Sequence, residues 1–220
     1  MTIHFQTPPI TNLYLNNTLQ DIPSYAGCFS QDNAPFHNIL SECFHFKKFG
    51  RGIYARSVIM NLSPAHERGT HFVSILFFTC SKPEETKIIV RLYDPLTLAP
   101  PQNMLSYFDE HTKKLLYRHR HWLQLEAGVT QPLQHNVSVF CGYYCMLRVL
   151  KTEYALRQTR SQPDSCPYFT MLLKYTENEI QSSTIKTNDL RVLQLISKYW
   201  KRLVTSPPTH IPTTTITTTT

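Results

Sequence analysis

Gln134-His135-Asn136-Val137-Ser138-Val139-Phe140-Cys141-Gly142-Tyr143-Tyr144-Cys145 is the stretch from which the rest of this 220-residue chain can be read. A glutamine stands seven residues ahead of a Cys-Gly pair that opens an apolar segment with helical spacing. A thiolate at a helix N-terminus is stabilised by the helix dipole and by the free N–H groups there. A glutamine carboxamide nearby can donate to the oxyanion that forms when such a thiolate attacks a carbonyl. Upstream, His71 heads one apolar, strand-like run and Asp94 closes the next. Antiparallel pairing of 71–79 with 87–93 would bring the start of one beside the end of the other, placing His71 and Asp94 at one sheet edge. The order His, acid, Gln, Cys supplies the base, its orienting carboxylate, an oxyanion donor and a nucleophile.

Each residue also has an ordinary explanation. A cysteine in an apolar helix is usually a small core hydrophobe, and an Asp before Pro95 is a common turn opener. Gln134 can be a plain loop residue and His71 a strand-start histidine with a satisfied hydrogen bond. Their joint arrangement outweighs these readings, because each meets a different requirement of thiol acyl transfer. A zinc site is the first competitor, since Cys141 and Cys145 lie one helical turn apart with His119 and His121 upstream. Structural zinc sites draw paired ligands from short knuckles, and no second Cys pair exists, so no metal is expected.

Hydrophobic residues make up 41% of the chain, enough for a folded core and too many for a disordered one. The net charge of +7 makes polyanions plausible partners. The basic run after residue 112 supplies Lys113, Lys114, Arg118 and Arg120 as candidate nucleic-acid contacts, although a solvated helix end is the default reading. The start Met1-Thr2-Ile3-His4 has no basic or apolar leader character, so the six cysteines are expected to be reduced in an intracellular protein. No apolar run approaches a bilayer span, and a soluble protein is expected.

Periodicity predicts an irregular entry over 1–32, a short helix over 35–46, strands over 53–61, 71–79 and 87–93, and an amphipathic helix from Leu105 to Leu116. A fourth strand over 122–126 and a buried helix over 141–154 follow, then a shorter helix over 168–175. A last helix is capped by Thr187 or Asn188, with Leu190, Leu193, Ile196, Tyr199, Trp200 and Leu203 on its apolar face. The fold class expected is α+β, a small mixed sheet packed on a central helix that carries the nucleophile, with further helices at the C-terminus. One domain is expected over 1–204, and a Pro/Thr-rich disordered tail over 205–220.

The chain also resembles the adenain family, the adenovirus maturation proteases, and more distantly the clan that holds the SUMO-specific proteases. The resemblance is carried by Gly27-Cys28-Phe29 with Ala34-Pro35-Phe36, Ile59-Met60-Asn61 leading to Gly69-Thr70-His71-Phe72, Leu92-Tyr93-Asp94-Pro95, the 134–145 stretch and the terminal helix. It implies a thiol endopeptidase with His71 as base, Asp94 as orienting acid, Cys141 as nucleophile and Gln134 as oxyanion donor. It further implies cleavage of viral structural precursors during particle maturation, in the host nucleus and the virion. Stimulation by viral DNA and a short viral peptide is implied, with no cofactor required for the chemistry; a monomer is expected. Asp94 stands where adenains usually have Glu, and Phe72 where Trp commonly follows the histidine. Phe140 stands where SUMO proteases generally have Asp, and neither Trp122 nor Leu123 supplies the cysteine that would cross-link an activating peptide. The alternatives are a ubiquitin- or SUMO-like isopeptidase of the same clan, and a catalytically inactive basic nucleic-acid-binding virion protein.

Overall fold

The computed structural model describes residues 5, 10–32, 36, 38–39, 42–43, 53–65, 71–81, 86–97, 102, 105–106, 108–110, 122–127, 132–134, 138–159, 165–181 and 188–205. The elements are helix α1 (Asn12–Leu19), strands β1 (Tyr25–Ser30), β2 (Ala55–Asn61), β3 (Phe72–Ser81), β4 (Thr86–Tyr93) and β5 (Trp122–Ala127), and helices α2 (Cys141–Thr159), α3 (Ser165–Gln181) and α4 (Asn188–Thr205). The strands lie in one mixed sheet in sequence order. β2, β3 and β4 form an antiparallel meander, and β1 and β5 each add to an edge in parallel. This is the α+β class expected, with the helix that starts at Cys141 packed on the sheet.

β3 shows why these strands read as unbroken apolar runs. Phe72 through Thr79 are all buried, because both faces of the sheet are covered. Val73, Ile75 and Phe77 join Phe36, Ile39, Cys43 and Phe108 on one face. Alternate positions turn to the helices: Phe72 packs with the first half of α2, and Leu76 and Phe78 with Ala155, Leu156, Phe169 and Leu173. α2 is buried on nearly every side, including Tyr143, Tyr144, Cys145 and Met146, as a helix lodged between a sheet and other helices must be.

The expected irregular entry over 1–32 is corrected, since it holds both α1 and β1. Three asparagines hid the helix by propensity, yet Thr11 caps it by accepting from the Tyr14 N–H at 3.1 Å, and Leu15 and Leu19 are fully buried. Asn16 faces β1, where its carboxamide accepts from the Cys28 N–H at 2.7 Å and donates to the Cys28 carbonyl at 3.1 Å. These are the groups that a further strand would have paired. The helices at the end run longer than periodicity predicts, and Leu190 is 64% exposed rather than on the packed face of α4, where Val192 and Leu195 take its place. Among the residues of the two predicted earlier helices, Phe36, Asn38, Ile39, Glu42 and Cys43, and Leu105, Ser106, Phe108, Asp109 and Glu110, are helical. Residues 206–220 of the expected tail lie outside the described residues.

Replacing Asn16 by Ala strips both main-chain groups of Cys28 of their partner. A loss of about 1–3 kcal/mol in unfolding free energy is expected, measured by urea titration, and a loss indistinguishable from zero would show that water replaces the carboxamide at no cost.

Candidate active site

The β3–β4 register pairs Ser74 with Tyr93, so the first residue before β3 and the first after β4 meet at one end of the sheet. His71 is held there by its own carbonyl, which accepts from the Leu62 N–H at 2.9 Å and extends the β2–β3 ladder by a rung. Asp94 opens a turn in which its carbonyl accepts from the Thr97 N–H at 3.0 Å and Oδ1 from the Leu96 N–H at 2.8 Å. Thr97 takes a left-handed backbone, with φ of 55°. The same Asp94 Oδ1 lies 2.8 Å from His71 Nε2. Both side chains are buried, at 8% and 5% residue exposure, which shields the pair from solvent screening.

With Nε2 committed to the carboxylate, the other ring nitrogen is the one left to face Cys141, which neighbours the imidazole closely enough to raise its pKa. Burial alone pulls the imidazole pKa down. The hydrogen bonds to Asp94 and Cys141, and their charges, outweigh it and raise His71 to about 9. Cys141 is the first residue of α2 and is 8% exposed. Phe140 supplies the carbonyl that accepts from the Tyr143 and Tyr144 N–H groups, at 2.8 and 3.2 Å. The N–H groups of Cys141 and Gly142 are therefore the ones that intrahelical bonding leaves unused. A Cβ on Gly142 would sit 2.4 Å from Ile10 Cδ1 and 3.6 Å from Phe72 Cδ2, so this glycine lets the N-terminal segment and β3 close on the first turn. Phe72 supplies the β3 side of that contact.

Gln134 is tied to these residues by a different route. Its backbone N–H and that of Leu133 both donate to the Pro95 carbonyl, at 3.1 and 2.9 Å, docking this loop onto the turn that Asp94 opens. The buried side chain donates Nε2 to the Ser138 carbonyl at 2.6 Å, which fixes the amide orientation and leaves its second N–H uncommitted to that bond. Oε1 is buried with no partner among the described residues. His71, Asp94 and Cys141 thus form one connected set, and Gln134 is joined to it through Pro95 and Ser138. Lys113, Lys114, Arg118 and Arg120 lie outside the described residues. No helix among the described residues is long and apolar enough to cross a membrane.

No protein-family model matches the chain, and neither does any curated protein. Among solved structures, an ASFV protease aligns with 15% identity over 84% of this chain and 65% of that one, with a TM-score of 0.48. The central domain of an uncharacterized Legionella pneumophila protein aligns at 12% identity over 78% of this chain and 88% of that one, TM-score 0.36. A de-sumoylating protease aligns at 12% identity over 86% of this chain and 80% of that one, TM-score 0.32. The chain spans a little under two thirds of the ASFV protease's length. These likenesses are partial in shape, and the chemistry is read from the site itself.

Sequence reasoning missed the supports beneath the site. Asn188, expected as a cap, is the first residue of α4 and donates Nδ2 to the Leu133 carbonyl at 2.7 Å. Asp189 accepts from the Ser138 hydroxyl at 2.7 Å and lies 3.2 Å from the Tyr144 hydroxyl, which also reaches the Leu133 carbonyl at 3.0 Å. No local pattern marks the partners of Asn188 and Asp189, which are 45 to 55 residues away in the chain.

The raised His71 pKa carries a stability signature. A group whose folded pKa exceeds its unfolded value stabilises fully below the unfolded value, about 6.5 for histidine, and loses that contribution as pH rises through the folded one. Unfolding free energy is expected to fall between pH 6.5 and about 9, and to fall less in Asp94→Asn. Denaturant titrations across this window decide it: equal slopes in both proteins would mean that the carboxylate does not hold the imidazolium.

Proposed function

We propose that this protein is a cysteine endopeptidase in which Cys141 is the nucleophile, His71 the base, Asp94 the orienting acid and Gln134 an oxyanion donor. The observation that carries this reading is the buried His71–Asp94 pair, 2.8 Å apart, whose imidazole reaches a cysteine at the N-terminus of a helix. Proton transfer from Cys141 to His71 gives a thiolate–imidazolium pair, with Asp94 balancing the new charge. Thiolate attack on a peptide carbonyl forms the C–S bond and places negative charge on the carbonyl oxygen. The Cys141 N–H and the uncommitted N–H of Gln134 are the donors suited to that oxygen. The imidazolium then protonates the departing amine as the C–N bond breaks, leaving a thioester. Water, deprotonated by His71, hydrolyses the thioester and restores the thiol.

The substrates that the family resemblance supports are viral structural precursor proteins, cleaved during particle maturation in the host nucleus and virion. Viral DNA is the proposed stimulator, in keeping with the net charge of +7. A viral peptide is a second proposed activator, acting without a disulfide, because residues 122 and 123 are Trp and Leu. The proposed working unit is a monomer with no resident cofactor.

The first test is limited iodoacetamide alkylation at mildly acidic pH, with mass-spectrometric mapping of all six cysteines. Selective labelling of Cys141 that disappears in His71→Ala is expected, and uniformly slow labelling would sink the endopeptidase reading. Labelling by a ubiquitin-like Gly-Gly vinyl sulfone would instead move the assignment to an isopeptidase. Cys141→Ala and His71→Ala are each expected to abolish hydrolysis of a Gly-rich peptide library. Gln134→Ala should lower kcat by about 10²–10³ with little change in KM; a change confined to KM would recast it as a substrate contact. Cys145 lies one turn deeper, its thiol pushed well up by burial, so Cys145→Ala should keep activity. Loss of activity in that folded variant would mean the wrong thiol has been named.

A further inference from the structure

The carboxylate of Asp189 touches the chain three residues before Cys141, at Ser138, and three residues after it, at Tyr144. Its two oxygens divide this work, Oδ2 accepting from Ser138 and Oδ1 lying against the Tyr144 hydroxyl. The acid stands in the first turn of α4, where the helix dipole favours its negative charge. Ser138 passes the constraint inward, because its oxygen accepts from the Phe140 N–H at 3.3 Å while its carbonyl receives the Gln134 carboxamide at 2.6 Å. The neighbouring Asn188 fixes the Leu133 carbonyl, one residue from Gln134.

We infer that Asp189, acting through Ser138, is a positioning residue for the oxyanion side of the proposed site: it holds Ser138, and through it the Gln134 carboxamide and the Phe140 N–H, so that Gln134 and the start of α2 face the same reacting atom. This inference rests on the endopeptidase reading and adds to it a part that lies across the fold, on the terminal helix. Asp189 touches neither the reacting atoms nor His71. The base and its acid are held independently, by the ends of β3 and β4. Loss of Asp189 should therefore spare thiolate formation and impair the step that builds charge on oxygen.

Two small reagents separate these steps without knowledge of the natural substrate. Iodoacetamide alkylates a thiolate at a saturated carbon and needs no oxyanion donor, whereas p-nitrophenyl acetate acylates it through a tetrahedral oxyanion. In Asp189→Asn and Ser138→Ala, the acylation rate of Cys141 is expected to fall about tenfold or more, in line with a misplaced oxyanion donor. The alkylation rate at the same residue should stay within about threefold, since the His71-dependent thiolate persists. Ser138→Thr keeps the hydroxyl and should restore acylation. A ratio of the two rates unchanged from wild type in both variants overturns the inference, and so does a parallel fall in both rates, the mark of a generally loosened fold. If Asp189→Asn does not fold, Ser138→Ala decides. Absence of selective Cys141 alkylation in the wild type would remove the endopeptidase reading itself, an outcome distinct from either.

Discussion

The β3–β4 register is the constraint on which the rest of the site depends. Pairing Ser74 with Tyr93 leaves the residues just outside the two strands side by side, and the proposed base and its acid stand there. A slip of one residue would turn every side chain of β3 to the opposite face and separate His71 from Asp94. The two apolar faces prevent that slip. Phe72, Leu76 and Phe78 match the helices, while Val73, Ile75 and Phe77 match the layer that holds Phe36 and Phe108. Packing over the whole strand thus fixes a contact at its end.

Around that contact the molecule gathers charge and dipole from unlike sources. The carboxylate of Asp94 is satisfied by the turn it opens as well as by the imidazole, so its position follows from backbone geometry. The start of α2 contributes free N–H groups at the sulfur. Pro95 joins the two halves, because its carbonyl receives the loop that carries Gln134 directly beside the acid. A buried imidazole would ordinarily give up its proton readily; here its interactions with Asp94 and Cys141 reverse that tendency.

Much of this was legible in the sequence. β2, β3 and β4 announce themselves by β-branched and aromatic runs, and the helix from Cys141 by apolar positions on most faces. The meeting of His71 with Asp94 followed from antiparallel pairing alone. What stayed hidden has physical reasons. α1 is built from Asn12-Leu13-Tyr14-Leu15-Asn16-Asn17-Thr18-Leu19, whose asparagines argue locally for a turn, and only a cap and two buried leucines make it helical. β1 is short and contains Gly27, which takes φ of +132°. On α4 the spacing of apolar residues allowed two neighbouring faces, and packing against α2 selected the one with Val192 and Leu195 rather than Leu190. The partners of Asp189 are distant in the chain, so no periodicity could signal them. The lysines and arginines from 113 to 120 remain a compositional observation.

Asn16 has a consequence beyond the stability of one strand. The outer rim of a sheet is a template for any chain with unpaired amide groups, and parallel β1 presents such a rim. By presenting one carboxamide to both main-chain groups of Cys28, α1 gives that rim a false neighbour made of a single side chain. At Cys28, in the middle of the rim, both main-chain groups are already bonded. A peptide aligned along β1 would have to displace Asn16 before it could pair with Cys28.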